Sequence, residues 1–524
     1  MDTAGTLKSK STQFTMKPTT ILHTSITALV LLASGSALVA QANASVHPGP
    51  SAPLEGSRPN IILVMTDDQG YGDLGCHGHP FLETPNLDKL YGQSTRFTSF
   101  HASPACAPTR GALMAGKAPF KLGITHTILE RERMALSATT IAEVLQTAGY
   151  TTGIFGKWHL GDDDPYQPEQ RGFDEVFIHG GGGIGQNLPG TCADVPDNDY
   201  FDPIIKHNGT FEQTEGYCTD VFFQQALGWI KQHKEEDNPF FAYISTNAPH
   251  APFIVAEKYK ALFRDKVADE RAAAFYGMIV NFDENMGLLM EKLEEWDLAE
   301  DTLLIFMTDN GTMISKDIYN AGMRGGKGSR YEGGSRVPLF MRWPGQIESG
   351  RDLDRMTRHY DIFPTFAELA GADLPEDLGL DGRSLIPLLQ YPKGSWQDPW
   401  QDRYTFFHKG RWGKAGAEGR WGKGKTDPDD SKYLGFAVRS ERWRLVGPNE
   451  LYDLSKDPGE TTNVIKQHPE TAKRMLKAYE KWWDEVRPYM INEDAPLDTG
   501  KPFIEQFEKQ QKEQGIPNWT PPAL

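Results

Sequence analysis

The sequence of 524 residues is short of cysteine, of net positive charge and, beyond its first 44 residues, of long apolar runs. Its 71 acidic and 54 basic side chains leave a net charge of −17, which argues against non-specific binding to nucleic acid. This charge does not exclude an anionic substrate, because a local basic pocket dominates at short range. Since no apolar run after residue 44 is long enough to cross a bilayer, we predict no stable membrane insertion.

The first 44 residues have the features of a secretory signal peptide. Lys17 precedes an apolar run from Ile26 to Val39, and the tripeptide Ala42-Asn43-Ala44 follows. A basic start, a short apolar core and a small-x-small site predict a periplasmic or secreted protein that is cleaved after Ala44. A retained N-terminal anchor is the alternative interpretation.

Only four cysteines are present: Cys76, Cys106, Cys192 and Cys218. Export permits a disulfide, and Cys192 and Cys218 bracket a polar segment, so these two are our first choice for a pair. Connectivity does not follow from sequence. The alternative is that both thiols are free and buried.

Strand-like and helix-like segments alternate from Pro59 onward. Apolar runs predict buried strands at 60–66, 150–155, 239–246 and 302–308, and helical periodicity marks 140–148 and 271–296. This alternation predicts an α/β fold with a large, mostly parallel sheet sandwiched by helices.

The sequence pattern changes after about residue 395. Alternating residues at 435–446 predict strands, and 469–486 has helical periodicity. We therefore predict a signal peptide at 1–44, a catalytic domain at 45–395, and at 396–524 a small α+β subdomain with an antiparallel sheet and a surface-wrapping tail.

Two predicted strands end in polar pairs, Asp67-Asp68 and Asp309-Asn310. Ligands bind beyond the carboxyl ends of strands in such sheets. These four side chains offer only oxygen, which suits Ca²⁺ or Mg²⁺ better than Zn²⁺. The alternative is that Asp309-Asn310-Gly311 is only a turn.

The stretch Ser103-Pro-Ala-Cys106-Ala-Pro-Thr-Arg110-Gly contains the pattern C-x-P-x-R-G. With its surroundings it resembles the type I sulfatase family, whose fold is alkaline-phosphatase-like. Further motifs carry the resemblance: Asp67-Asp68-Gln-Gly70, Thr84-Pro-Asn-Leu-Asp88, Gly156-Lys-Trp-His-Leu-Gly161, Ala248-Pro-His-Ala-Pro252, Thr308-Asp-Asn-Gly311, the glycine-rich 325–334, and Leu451 to Glu460.

The resemblance implies a chemistry for each motif. A maturation enzyme would oxidise Cys106 to formylglycine, and its hydrate would be the nucleophile. Ca²⁺ would be held by that residue and by Asp67, Asp68, Asp309 and Asn310. Arg110 would support the hydrate, while Lys157 and His159 would bind sulfate and act as base. His250 and Lys327 would bind sulfate and protonate the leaving oxygen. Thr109 departs from the commoner Ser, which puts the efficiency of maturation in question.

The sequence leaves the substrate open. Export favours a sulfated polysaccharide or oligosaccharide. Basic and Trp residues at 409–425 are candidates for binding it, or are a solvated loop, and the segments 179–186 and 194–202 are further pocket candidates. Two alternative functions remain: a phosphohydrolase of the alkaline-phosphatase-like superfamily, and a non-catalytic protein that binds sulfated glycans.

Overall fold

The structure is a computed structural model that describes residues 53–524 apart from 128, 189–190, 235, 237, 376, 391–402, 411–427, 493–494 and 496–499. The predicted signal peptide, the predicted boundary at 395 and most of the segment 409–425 lie outside the described residues. The described strands are β1 (Asn60–Thr66), β2 (Thr95–Phe97), β3 (Phe100–His101), β4 (Thr151–Lys157), β5 (Glu175–His179), β6 (Ile204–His207), β7 (Thr210–Gln213), β8 (Phe240–Ser245), β9 (Thr302–Thr308), β10 (Leu339–Arg342), β11 (Arg351–Leu353), β12 (Thr357–Arg358), β13 (Thr405–His408), β14 (Phe436–Arg439), β15 (Trp443–Val446) and β16 (Glu450–Asp453).

The α-helices in the described residues lie before, between and after these strands. They are α1 (Pro85–Gln93), α2 (Cys106–Ala115), α3 (Ile141–Thr147), α4 (Cys218–His233), α5 (Glu257–Lys260), α6 (Glu270–Glu295), α7 (Glu332–Ser335), α8 (Ile362–Ala370), α9 (Ile386–Gln390), α10 (Pro469–Val486) and α11 (Pro502–Glu513). No helix among the described residues is both long and apolar enough to span a membrane.

A ten-stranded sheet forms the centre, with the order β11-β2-β10-β9-β1-β8-β4-β5-β6-β7. The five strands from β9 to β5 run parallel, and β10, β6 and β7 add antiparallel pairs towards the edges. The predicted large, mostly parallel sheet is confirmed. Because β1 and β9 are parallel neighbours, with Thr66 opposite Thr308, their following polar pairs emerge side by side.

Helices cover both faces of this sheet. Ile61, Leu63 and Met65 of β1 pack on one side with α3 and α8, while Ile62 and Val64 pack on the other side with α4 and α6. Successive side chains of a strand point to opposite faces, so a strand buried on both faces needs the unbroken apolar run that predicted it. The sandwich by helices is confirmed.

The predicted antiparallel C-terminal sheet is also present, as β13-β14-β15-β16. Phe436, Leu445 and Leu451 from its strands pack against Tyr479 and Trp483 of α10. Helix α10 covers Pro469–Val486, as its periodicity predicts.

The tail after this subdomain contains a helix that the sequence analysis missed, α11. Phe503 and Phe507 of this helix pack edge-on against Phe211 of edge strand β7. The side chain of Trp519 is buried in the core beside Phe177. The tail is therefore attached to the large sheet. The buried residues Phe503, Ile504 and Phe507 are enough to dock a helix that is otherwise mostly polar.

Candidate functional site

The carboxyl ends of β1 and β9 bring the predicted acidic residues together. Ligand atoms of Asp67, Cys106 and Asp309 all lie within 4.8 Å of one another, and so do those of Asp67, Asp68 and His250. Asp68 donates its backbone N–H to Asp309 Oδ1 at 3.0 Å. The two polar pairs therefore form one cluster, which the strand order explains.

Two oxygens of this cluster have no hydrogen-bond donor among the described residues. They are Asp67 Oδ1 and Asn310 Oδ1, and both are buried. The side-chain nitrogen of Asn310 donates a hydrogen bond to Asp68 Oδ1 at 2.9 Å. The side-chain oxygen of Asn310 takes no part in that bond. Buried oxygens without donors are costly unless a cation or a water satisfies them, and this donor set fits a hard cation.

The charges around the cluster shift its carboxyl groups in opposite directions. Burial raises the pKa of Asp309 well above its usual range, and the neighbouring Asp67 adds to that rise. Burial also acts to raise the pKa of Asp67, but Lys157, His250 and Arg110 hold it well below its usual range. A bound cation would favour the charged form of both groups.

Cys106 is the first residue of α2. Thr109 explains how this turn is attached to the cluster. Its Oγ1 accepts the backbone N–H of Ser103 at 2.9 Å and donates to the backbone oxygen of Asp309 at 2.7 Å. A hydroxyl is needed there, and Thr supplies it as Ser would.

Arg110 is one turn further along α2 and is fully buried. Its Nη1 donates to the backbone oxygen of Lys157 at 3.0 Å and to Ser245 Oγ at 2.5 Å, and its Nη2 donates to Asp309 Oδ2 at 3.3 Å. The guanidinium thus joins α2 to the ends of β4, β8 and β9. We call the resulting set the charged floor: Asp67, Asp68, Arg110, Lys157, Asp309 and Asn310.

The remaining predicted cations surround Cys106 and the acidic pair after β1. Lys157 forms a buried ion pair with Asp67, and Lys327 Nζ lies 2.5 Å from Asp68 Oδ1 and 4.0 Å from Cys106 Sγ. His250 Nε2 lies 3.7 Å from Asp68 Oδ2. Burial lowers the pKa of His250 to about 4.

Lys327 depends on a close approach between two glycine-containing loops. A Cβ on Gly311 would lie 1.8 Å from the backbone oxygen of Gly333, so a side chain at 311 would push the 325–334 loop away. The C-terminal subdomain supports the same loop, because Glu460 accepts the backbone N–H of Glu332 at 2.8 Å. Glu332 is itself paired with Arg439 and Arg444.

A cleft with about 420 Å³ of empty space opens above the charged floor. It is lined by Cys106, His159, His250 and Lys327, and by loop residues that the motifs do not include. We call these the loop wall: Thr127, Glu132, Gly182, Gln186, Leu188 and Thr191. The backbone at His159 is left-handed, with φ of 59°, a conformation that costs a non-glycine residue about 1–3 kcal/mol.

Residues distant in sequence hold the loop wall. Asp162 accepts the backbone N–H groups of Gly181 at 3.2 Å and Ala193 at 2.8 Å. Lys501, just before α11, donates to the backbone oxygen of Leu188 at 2.8 Å and to that of Thr191. The C-terminal tail therefore reaches the cleft that the first strands build.

The preferred pairing of Cys192 with Cys218 is wrong. All four cysteines are free, and both of these are buried. Cys218 begins α4 with its Sγ 3.5 Å from Asn247 Oδ1, whereas Cys192 belongs to the loop beside Glu132. The two thiols have different partners, and a disulfide would require both to leave them and meet in a narrow range of geometry.

Comparison with known proteins decides the family, since the sulfatase family model matches residues 59–372, more than half of the chain. The chain belongs to the sulfatase family. It is accordingly a sulfuric ester hydrolase. The C-terminal model of N-sulphoglucosamine sulphohydrolase matches residues 326–484 of this sulfatase.

Individual relatives agree with this assignment. Human arylsulfatase A is 33% identical over 441 residues, covering 78% of this chain and 83% of its own length. An N-acetylgalactosamine-6-O-sulfatase of Bacteroides thetaiotaomicron is 28% identical over 492 residues, covering 81% and 93%. The crystal structure of Ps i-CgsB superimposes with a TM-score of 0.71 at 29% identity, covering 83% of this chain and 95% of that chain.

The structure brings the predicted catalytic and metal-binding residues together around Cys106, but the sequence analysis missed the residues that support them. Among these, Glu132 and Lys501 lie outside any recognisable pattern. Ser245 ends a strand beside the site, which was a usable signal. Glu132 and Lys501 have no such signal, because the residues they contact are distant in the chain. Glu132 is 27 residues from His159, and Lys501 is 310 residues from Thr191.

Proposed function

We propose that this sulfatase hydrolyses sulfate esters of a carbohydrate through a formylglycine hydrate at position 106, assisted by Ca²⁺. The observation that carries the proposal is the position of Cys106. It begins α2 at the bottom of the cleft, between a buried acidic cluster and the ammonium of Lys327. A nucleophile at position 106 would have the proposed Ca²⁺ ion on the side of the acidic cluster and the ammonium of Lys327 on the other side.

Asp67, Asp68, Asp309, Asn310 and residue 106 would hold the Ca²⁺ ion. The orphaned oxygens of Asp67 and Asn310 support this assignment. When bound, the ion withdraws negative charge from the sulfuryl group and orients the nucleophile.

The chemistry accounts for an aldehyde in place of a cysteine. One hydroxyl of the hydrated aldehyde attacks sulfur, the S–O bond to the sugar breaks, and the leaving oxygen takes a proton. The second hydroxyl then loses its proton, the C–O bond to sulfate breaks, and the aldehyde is regenerated. The net reaction consumes one water and yields an alcohol and sulfate, without a redox change in the cycle.

The cations divide this work by position. Lys157 and Lys327 would neutralise sulfuryl oxygens, and Lys327, with His250 beside it, would protonate the leaving oxygen. His159 would accept the proton of the second hydroxyl. Arg110, with no exposed surface of consequence, would hold the nucleophile turn against Asp309.

The donor set argues against the phosphohydrolase alternative. A two-zinc site needs additional Asp and His ligands and a Ser or Thr nucleophile. Among the described residues, both groups able to hold a metal share Asp67, which fits one ion. The intact cations around Cys106 likewise argue against a protein that only binds glycans.

A sulfated oligosaccharide or polysaccharide is the substrate we propose. Thr127, Gln186 and Thr191 offer neutral hydrogen-bonding groups along the cleft, and Leu188 offers apolar surface for a sugar face. Ps i-CgsB has a structure in complex with k-i-k-neocarrahexaose. We also propose export, and conversion of Cys106 by a formylglycine-generating enzyme.

Mass spectrometry of the peptide spanning residues 101–110 tests the nucleophile. We expect a mass corresponding to formylglycine in protein from a host with maturation machinery, together with release of sulfate from defined sulfated oligosaccharides. Unmodified cysteine in an active preparation would overturn the nucleophile assignment. Turnover of aryl sulfates with no release from any sulfated glycan would overturn the substrate assignment.

A further inference from the structure

His159 has two ring nitrogens in different surroundings. Its Nε2 lies 3.3 Å from Oε2 of Glu132. Its Nδ1 is buried and has no hydrogen-bond partner among the described residues. Nδ1 is therefore the ring nitrogen without a partner among the described residues.

Glu132 uses both of its carboxylate oxygens inside the protein. Oε1 accepts the backbone N–H of Cys192 at 2.5 Å, and Oε2 faces His159. The residue has no solvent exposure. A carboxylate engaged in this way is not free to bind a sugar, so its influence on the cleft must pass through His159 and the loop at 192.

Burial raises the pKa of Glu132, and its contacts with His159 and with the backbone N–H of Cys192 act in the opposite direction, towards the charged form. Arg133 lies close enough to lower that pKa, and Glu132 in turn acts on the ammonium of Lys501. A charged carboxylate can only accept hydrogen bonds. It therefore requires the proton of a neutral His159 to be on Nε2.

Gly182 keeps this edge of the imidazole accessible to Glu132. A Cβ at position 182 would lie 3.0 Å from both Cε1 and Nε2 of His159. A side chain there would press on the ring and turn it away from the carboxylate. Gly182 thus leaves room at the ring edge that Glu132 contacts.

We propose that Glu132 is a positioning residue that holds the proton of His159 on Nε2 and leaves Nδ1 as the proton acceptor. When Nδ1 takes the proton of the second hydroxyl at residue 106, the carboxylate offsets the positive charge of the ring. The proposal rests on the function proposed above for His159. Its geometry, however, is testable without turnover.

The direct test is the tautomer of His159 in the wild-type protein. Two-bond ¹⁵N–¹H correlation spectra of ¹⁵N-histidine-labelled enzyme distinguish the two tautomers, and loss of one signal set in H159Q assigns it. We expect Nε2–H in the wild type and a shift towards Nδ1–H in Glu132→Gln, whose amide can donate to Nε2. A wild-type ring protonated on Nδ1 overturns the proposal, whether or not the enzyme hydrolyses sulfate esters.

Kinetics separate positioning from support of the loop. We expect Glu132→Gln to lower kcat by about 10- to 100-fold with KM changed less than about threefold, a smaller loss than the roughly 10²- to 10⁴-fold of a removed general base, because His159 itself remains. Asp162→Asn is the matched control, because it loosens the same loop without touching His159, and it should raise KM more than it lowers kcat. Equal kcat losses in both variants would show that Glu132 only supports the loop.

Failure of this inference differs from failure of the proposed function. Wild-type enzyme without formylglycine or without sulfate release refutes the function and leaves the tautomer measurement valid. An active enzyme in which Glu132→Gln folds, as judged by its melting temperature, and retains wild-type kcat refutes the inference alone.

Discussion

The charged floor and the loop wall enclose the same cleft but are built in opposite ways. The floor side chains lie at or just after the ends of parallel strands, apart from Arg110 one turn into α2, and they hold one another through short-range charge contacts. The wall side chains lie outside the sheet and the α-helices. Contacts from Asp162 and Lys501, and the bond of Glu132 to the backbone of Cys192, hold this part of the chain. The difference teaches that chemistry is placed by the sheet, whereas the shape around the substrate depends on distant parts of the chain.

The largest expected effect on kcat comes from replacing Cys106, the proposed nucleophile, and a second buried cysteine serves as its control. Cys106→Ala should lower kcat by roughly 10⁴-fold or more, because no hydrated aldehyde can form. Cys218→Ala is the matched control, since Cys218 is also the first residue of a helix and is also buried. It should retain activity within about threefold in a sulfate-release assay. A similar loss in both variants would show that packing, and not chemistry, explains the effect.

Removal of the metal tests the floor as an ion site. Treatment with a Ca²⁺ chelator should lower activity by about 10²- to 10³-fold, and added Ca²⁺ should restore it. The ion should also raise the melting temperature of the wild type, since ligand at 100 times its dissociation constant stabilises by about 2.7 kcal/mol. Asp309→Ala should abolish that thermal shift. A shift of equal size in the variant would place the ion elsewhere.

A medium effect is expected where the tail meets the loop wall. Lys501→Met removes the donor to the backbone oxygens of Leu188 and Thr191, so the wall loses its anchor. We expect KM for a sulfated oligosaccharide to rise by about 10-fold, with kcat for a small aryl sulfate nearly unchanged. Lys512→Met, at an exposed position of α11, should leave both constants at wild-type values. Equal changes in the two variants would show that Lys501 does not support the wall of the cleft.

The smallest effect concerns reduction. Because Cys192 and Cys218 are free, a thiol reductant should change neither the melting temperature nor the activity of the mature enzyme. Differential scanning calorimetry with and without reductant measures this. A fall of several degrees on reduction would mean that a disulfide forms, since such a bond contributes about 2–4 kcal/mol.

Prediction from sequence worked where a local pattern has one physical meaning. The run Asn60–Thr66 had to be a strand buried on both faces, and the polar residues after it had to lie at the sheet's carboxyl edge. It failed where the deciding contact is long-range. Helix α11 has few apolar residues, and its place follows from an edge strand, β7, that only the assembled sheet exposes. The pairing of Cys192 with Cys218 failed for the same reason.

The sequence by itself determined the fold class and the oxygen-rich acidic cluster, and it predicted the position of the nucleophile, because apolar periodicity and motif spacing act within a few residues. Only the tertiary structure decided that Glu132 faces one nitrogen of His159 and that Lys501 holds the wall of the cleft. Those contacts join loops whose backbone groups need partners and have none nearby in the chain. Their partners are set by which surfaces meet once the sheet and its helices have packed.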